Sequence, residues 1–317
     1  MAGQTLRNWR KLDKEIKVTD YVPNGTKKNN EMTNARKKLT IPDLALKKAA
    51  GEKLAMVAVG ETMSAAWAER AGMDIIGVGD SLGMTLYGYE NTLPITVDHM
   101  IEHSRAVRRG APNTLTLVSM PYGSYATPDM AITNAVRLMK ESGADAVKLQ
   151  GGRELFDIIK AVADAGVPVM SHVGLLPHYV HRYGGFKMQG KTAEDALHII
   201  DNAKAIEEAG AIGLEIEAMP YEVGKAVDEA VSIFTFSIGA GSAGTCQLLN
   251  GYDLIGAFDT FKPKFAKRYG NIAEVATKAF TDYAADVRSG TFPDEDHSYK
   301  MKPEEAAKLA KALSESN

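Results

Sequence analysis

Short apolar runs alternate with amphipathic stretches from about residue 40 to residue 250, and that alternation sets the expected fold. Leu54-Ala-Met-Val-Ala-Val59 predicts a first strand, ending at Gly60 and Glu61. A helix over 64–71 follows. Ile75-Ile76-Gly77-Val78 comes next, apolar on both faces and rich in β-branched residues, as a strand buried in a parallel sheet reads. The order then recurs. Helices are expected over 97–109 (with Thr96 as cap), 128–142, 155–165, 192–209 and 221–230. Strands are expected over 115–118, 144–150, 167–170, 212–216 and 233–238, with a last short one near 247–249. Ser142-Gly143, Ala165-Gly166 and Ala209-Gly210 each put a glycine where a helix closes through a left-handed residue. About eight such units predict an α/β protein, a (β/α)₈ TIM barrel with extra terminal helices. An open doubly wound sheet is the runner-up. It usually has fewer strands and a phosphate-binding fingerprint after the first, which Gly60-Glu61-Thr62-Met63 does not supply.

Residues 1–38 are polar with basic residues at intervals, and read as an extension lying on the surface or on a neighbouring subunit. Residues 39–317 read as a single barrel domain. It opens with a helix at Thr40-Ile-Pro-Asp43 and carries C-terminal helices over 272–288 and 303–314 as decoration or oligomer contacts. Composition narrows the partners. A net charge of -3 gives no reason to expect nucleic acid or an acidic membrane surface. The single cysteine, Cys246, excludes an internal disulfide and reads as a buried structural thiol. With no apolar run of membrane-spanning length and no signal-like apolar core at the N-terminus, a soluble cytoplasmic protein is expected.

A barrel of this kind gathers the residues at its strand C-termini onto one face. In chain order these are Glu61, Asp80, Ser119, Lys148, Gln150, His172, Glu217 and the Gly239-Ala240-Gly241 loop. Each has a bland alternative. Asp80 serves equally as the acid of an Asx-turn, Lys148 as half of an ion pair, and His172 as a satisfied core histidine. Glu215 and Glu217 alternate onto the same face, and an inward carboxylate needs a partner or a ligand. The convergence of so many polar groups favours a site. His178 and His181, three apart without an evident third ligand, read as part of a solvated loop.

Several longer stretches carry a family likeness. They include Val78-Gly-Asp-Ser-Leu-Gly-Met84, Thr92-Leu-Pro-Ile-Thr-Val97, Pro121-Tyr-Gly-Ser-Tyr125, Gly143-Ala-Asp-Ala-Val-Lys-Leu149, Pro168-Val-Met-Ser-His172, Gly184-Gly-Phe-Lys-Met-Gln-Gly190 and Asp286-Val-Arg-Ser-Gly-Thr-Phe-Pro293. On these, over about residues 45–300, the sequence resembles the ketopantoate hydroxymethyltransferases, among the phosphoenolpyruvate mutase/isocitrate lyase-like barrels. The resemblance implies an Mg2+-dependent aldol reaction on a 2-oxo acid, 3-methyl-2-oxobutanoate, with 5,10-methylenetetrahydrofolate as co-substrate, in a homo-oligomer, a decamer in the family. By motif position, Asp80 corresponds to a metal-binding aspartate and Ser81 to its substrate-contacting neighbour. Lys148 and His172 correspond to substrate-site residues and Glu217 to the general base. Ser119 stands where the family has a second metal-binding aspartate. Gln150 replaces a glutamate that supports the metal through water, and Thr245 replaces a further aspartate. Both neutral residues at 119 and 150 are then expected to face substrate, with Glu61 placed to replace the lost charge at the metal. Two alternatives stay open: a diverged C–C lyase or transferase acting on another 2-oxo acid, and a metal-free ligand-binding barrel.

Overall fold

Alternation along each strand decides which side chains fill the barrel and which face the helices around it. In the computed structural model, which describes residues 37–316, eight parallel strands close in chain order. They are β1 (Leu54–Ala58), β2 (Ile75–Val78), β3 (Leu115–Ser119), β4 (Ala146–Lys148), β5 (Val169–Gly174), β6 (Gly213–Glu217), β7 (Phe234–Ile238) and β8 (Cys246–Asn250). β8 returns to β1 with Leu54 opposite Cys246 and Ala58 opposite Asn250. The (β/α)₈ expectation holds. The extension read over residues 1–38 lies, apart from its last two residues, outside the described residues.

The inward faces form two layers. Towards the strand N-termini, Leu54, Met56, Ile75, Leu115, Leu117, Ala146, Met170, Phe234, Phe236, Cys246 and Leu248 make one apolar cluster. Towards the C-termini the same alternation brings in Ser119, Lys148, His172, Glu215 and Glu217. The outward residues, such as Val57, Ile76, Val118, Val147 and Leu214, join the helices in a second, larger core.

The helices sit where the amphipathic pattern puts them. Around the barrel run α1 (Ile41–Ala49), α2 (Thr62–Arg70), α3 (Leu82–Thr85), α4 (Val97–Gly110), α5 (Pro128–Ser142), α6 (Phe156–Asp164), α7 (Val180–Tyr183), α8 (Ala193–Glu208), α9 (Tyr221–Ala230) and α10 (Gly251–Leu254). Beyond them come α11 (Ile272–Ser289) and α12 (Pro303–Ser314). The Thr96 hydroxyl accepts from the His99 N–H at the start of α4, as its cap position predicts. Gly143, Gly166 and Gly210 all have positive φ, so the three helix-ending glycines do the work expected of them.

Two strands run differently from expectation. β4 is shorter, leaving Gln150 in the loop beyond it. β5 is longer and continues through His172 to Gly174. His172 is therefore an inward strand residue, not a loop residue.

α1 seals the barrel floor. Leu44 is buried and belongs to the apolar inner cluster, whereas Leu46, two residues on, is exposed. Leu44→Ala should cost about 2–5 kcal/mol, and Leu46→Ala should fall within about 0.5 kcal/mol of wild type. Urea unfolding of both variants checks this; equal midpoints would mean that α1 is not part of the core.

Candidate active site

Above the apolar floor, the strand ends hold two linked polar groups. The first centres on Asp80, just past β2. Its side chain does not cap the turn that follows, which excludes the Asx-turn alternative. Instead Oδ2 lies 2.5 Å from His178 Nε2 and 3.5 Å from Gln150 Nε2. His178 Nδ1 is 2.6 Å from the Tyr125 hydroxyl, and the His178 N–H donates to Gln150 Oε1 at 3.1 Å. Burial alone would raise the Asp80 pKa, but His178 and Lys148 outweigh it and hold the carboxyl below its usual value. An ionised carboxylate only accepts, so His178 Nε2 carries the hydrogen.

The second group lies on β4, β5 and β6. The Lys148 ammonium donates to Glu215 Oε2, deep inside the mouth. His172 Nε2 is 3.1 Å from Glu217 Oε2, and its Nδ1 is 4.0 Å from Glu215 Oε2. The ring is almost wholly buried, and neither nitrogen is aligned for a hydrogen bond. Orphaned buried nitrogens of this kind mark a place where another molecule would complete the bonding.

The two glutamates are driven apart. Burial opposes ionisation of Glu215, but Lys148 and His172 prevail and lower its pKa. Burial also acts on Glu217; there it wins, with Glu215 adding repulsion, and the pKa rises although His172 and Lys148 pull the other way. Burial likewise works against the charged form of Lys148, yet Glu215, Asp80 and Glu217 keep that ammonium protonated.

Main-chain geometry fixes the end of β6. The Leu175 N–H donates to the Glu217 carbonyl at 2.9 Å. Gly174, at φ +95°, passes so close that a Cβ there would lie 2.2 Å from that oxygen. Ala218, the next residue, holds a positive φ of 44°, and its N–H donates to the Ile238 carbonyl. Such strain, held by surrounding bonds, clusters at functional sites. A cleft of about 330 Å³ opens beside His172 and Gly174, walled by Tyr179, Arg182, His198 and Asn202.

Asp80, Lys148, Gln150, His172 and Glu217 thus converge as expected, and Ser119 pairs in register with Lys148. Ser81 sits at the rim, its hydroxyl 3.4 Å from Asn250 Nδ2. Two expectations need correction, those for Glu61 and His178. Glu61 spends both carboxylate oxygens capping α2, on the N–H groups of Met63 and Ser64, so it does not replace a lost charge at Asp80. Thr245 precedes β8 and accepts from the Leu54 N–H at the barrel floor, so its difference from the family does not touch the site. His178 is buried in the site, not solvated, although His181 is exposed. Glu215, Tyr125 and Asn250 complete the set. Of these Glu215 carried a signal in its alternation with Glu217, and Tyr125 in the stretch Pro121-Tyr-Gly-Ser-Tyr125.

The sequence pattern described as ketopantoate hydroxymethyltransferase matches residues 38–295. A 3-methyl-2-oxobutanoate hydroxymethyltransferase 1 from Methylibium petroleiphilum is 49% identical over 264 residues, covering 83% of this chain and 90% of that protein. The 3-methyl-2-oxobutanoate hydroxymethyltransferase of Alkaliphilus metalliredigens is 46% identical, covering 84% and 94%. Among solved structures, phosphonopyruvate hydrolase in complex with oxalate and Mg++ aligns with a TM-score of 0.55 at 15% identity, covering 87% of this chain and 96% of that one. A 2,3-dimethylmalate lyase of the PEP mutase/isocitrate lyase superfamily aligns at 0.54 and 14%, covering 88% and 96%. At such identities the structures share the fold alone.

The donors available for an ion can be set against Mg2+, which takes six oxygens in near-octahedral order, one or two of them from carboxylates. The Asp80 corner offers a single carboxylate, and His178 and Gln150 already engage one of its oxygens. That corner is a poor Mg2+ site: one carboxylate oxygen, Oδ1, remains for an ion, and the Lys148 ammonium already interacts with the same acid. Among the described residues, His172, Glu215 and Glu217 form the group of three able to hold a metal ion, their ligand atoms lying within 4.8 Å of one another. Its nitrogen suits a transition ion better than Mg2+, and the Lys148 ammonium already sits on Glu215.

The Lys148–Glu215 pair is a buried charge couple, and its halves are expected to be unequal to the whole. Glu215→Gln or Lys148→Met alone should cost about 3–5 kcal/mol by leaving an uncompensated charge. The double variant should be more stable than either single one. Urea midpoints of the three variants measure it, and a double variant weaker than both singles would refute the pairing.

Proposed function

The chain belongs to the ketopantoate hydroxymethyltransferase family and is a hydroxymethyltransferase, and from that premise we propose that it acts on 3-methyl-2-oxobutanoate with 5,10-methylenetetrahydrofolate as one-carbon donor. In the overall reaction the C3 proton of the 2-oxo acid is replaced by a hydroxymethyl group. The donor supplies the methylene carbon, water supplies the hydroxyl oxygen, and tetrahydrofolate leaves.

The observation carrying this reading is the pair of inward carboxylates pushed in opposite directions, Glu217 up and Glu215 down. Two neighbouring acids held in different protonation regimes assign acid–base roles. Glu217 is the base: burial raises its proton affinity towards the working pH, where a general base is most effective. His172 Nε2 lies beside that carboxylate, 3.1 Å away. Glu215 stays ionised and keeps Lys148 charged. Lys148 in turn receives the substrate carboxylate and the negative charge that develops on the ketone oxygen. Ser81, Ser119 and Gln150 supply neutral hydrogen-bonding groups around it. The cleft beside His172 admits the one-carbon end of the donor. Among the described residues no helix is long and apolar enough to cross a membrane.

Glu217→Gln should slow exchange of the C3 proton of 3-methyl-2-oxobutanoate in D2O by about 10²–10⁴-fold, with little change in KM. Proton NMR follows the loss of the C3 signal. Undiminished exchange in the variant would remove Glu217 as base. In wild type, exchange should rise with pH through an apparent pKa above the ordinary glutamate range, because only the ionised carboxylate accepts a proton. A limb centred near that of free glutamate would contradict the assignment.

Homo-oligomeric assembly fits the exposed apolar residues of α11 and α12, among them Val275, Phe280, Tyr283, Leu309 and Leu313. Sedimentation should give a mass several times that of the chain, with the decamer as the family's number. A monomer would exclude assembly.

A further inference from the structure

The Asp80 corner is closed on itself. Oδ2 of Asp80 meets His178 Nε2 at 2.5 Å, Tyr125 holds the other ring nitrogen at 2.6 Å, and the His178 main chain is tied to Gln150 Oε1 at 3.1 Å. Both side chains are buried: His178 keeps 1% and Asp80 6% of side-chain exposure. The imidazole thus occupies one of the two oxygens of the single carboxylate at this corner.

Gln150 suits this arrangement and a glutamate would not. Its amide oxygen accepts from His178, and its Nε2 donates to Asp80 at 3.5 Å. A glutamate here would accept the first bond but set a second negative charge against Asp80, with no ion to separate the two. Ser119, at the end of β3, adds no charge either. The fixed positive charge that interacts with all three carboxylates, Asp80, Glu215 and Glu217, is the ammonium of Lys148.

We propose that this chain enolises its 2-oxo acid without a divalent cation: His178 takes up one of the two oxygens of the single carboxylate at this corner, no second acid stands at 119 or 150, and Lys148 with Gln150 receives the substrate's carboxylate and ketone oxygens. The inference rests on the transferase reading above. The C3 proton passes to Glu217, the C–H electron pair moves into the new C=C bond, and the ketone oxygen takes the charge beside Lys148. Asp80 and His178 do not touch the reacting atoms. They are positioning residues that keep Gln150 and the pocket wall in place.

The test titrates wild-type enzyme with Mn2+, an oxygen-seeking stand-in for Mg2+, with and without 3-methyl-2-oxobutanoate, and reads free Mn2+ by electron paramagnetic resonance. No protein-dependent loss of the free-ion signal is expected. C3-proton exchange should stay within about twofold on adding EDTA or Mg2+. The triple variant S119D/Q150E/H178Q should instead bind about one Mn2+ per chain and lose exchange on chelation. One Mn2+ bound per wild-type chain, or exchange falling more than about tenfold with EDTA and returning with Mg2+, overturns the proposal. The Mn2+ reading on wild type decides it whether or not the variant folds. Absent exchange under every condition would count against the substrate reading instead, with the Mn2+ reading still deciding this one.

Discussion

Everything in the barrel mouth depends on one buried ion pair, the Lys148 ammonium on Glu215. Charges this deep lose their hydration, and only close pairing repays the loss. Once paired, they set the electrostatics of all that surrounds them. Lys148 joins His178 in lowering Asp80, Glu215 answers Lys148, and Glu215 adds its repulsion to the burial that makes Glu217 hold its proton more tightly. The apolar layer beneath gives this group a dry floor. Met56, Leu117, Met170 and Phe236 keep that floor apolar, and charges beside a medium of low dielectric act on one another more strongly than in water.

Much of this was legible in the chain. The repeated strand–helix order predicted the barrel, and alternation at Glu215-Ile-Glu217 turned both acids inward. The family likeness marked Asp80, Lys148 and His172. What escaped has physical causes. His178 reaches Asp80 across 98 positions by way of a short turn, and no local pattern reports so distant a contact. Glu61 stands at a strand end like the residues that converge in the mouth, but as the residue before α2 it has two unpaired N–H groups at hand, and those claimed it. Residues 171–174 lack a continuous apolar run, so β5 looked shorter than it is. Its polar members are stable there because they line the site and not the core.

The outer shell shows the same division of labour. Helix-ending glycines, threonine caps and the Leu44 plug follow from local rules, since each answers a need within a few residues of itself. The site breaks such rules. His172 keeps two unaligned nitrogens, and Ala218 adopts a backbone angle seldom held by a residue with a side chain. Local inconsistency of this sort is expected where function rather than folding selects the residue.

The grip of Gly174 and Leu175 on the Glu217 carbonyl has a consequence for how such enzymes change over time. Glu217 is anchored through its main chain, by bonds that do not depend on which side chains line the opposite wall. Asp80, Ser119, Gln150 and His178 lie on that wall, carried by other strands and loops. Mutation can therefore rewrite the wall's charge while Glu217 keeps its place. A lineage can trade the charge on one side of the mouth for another without first moving the carboxylate on the other.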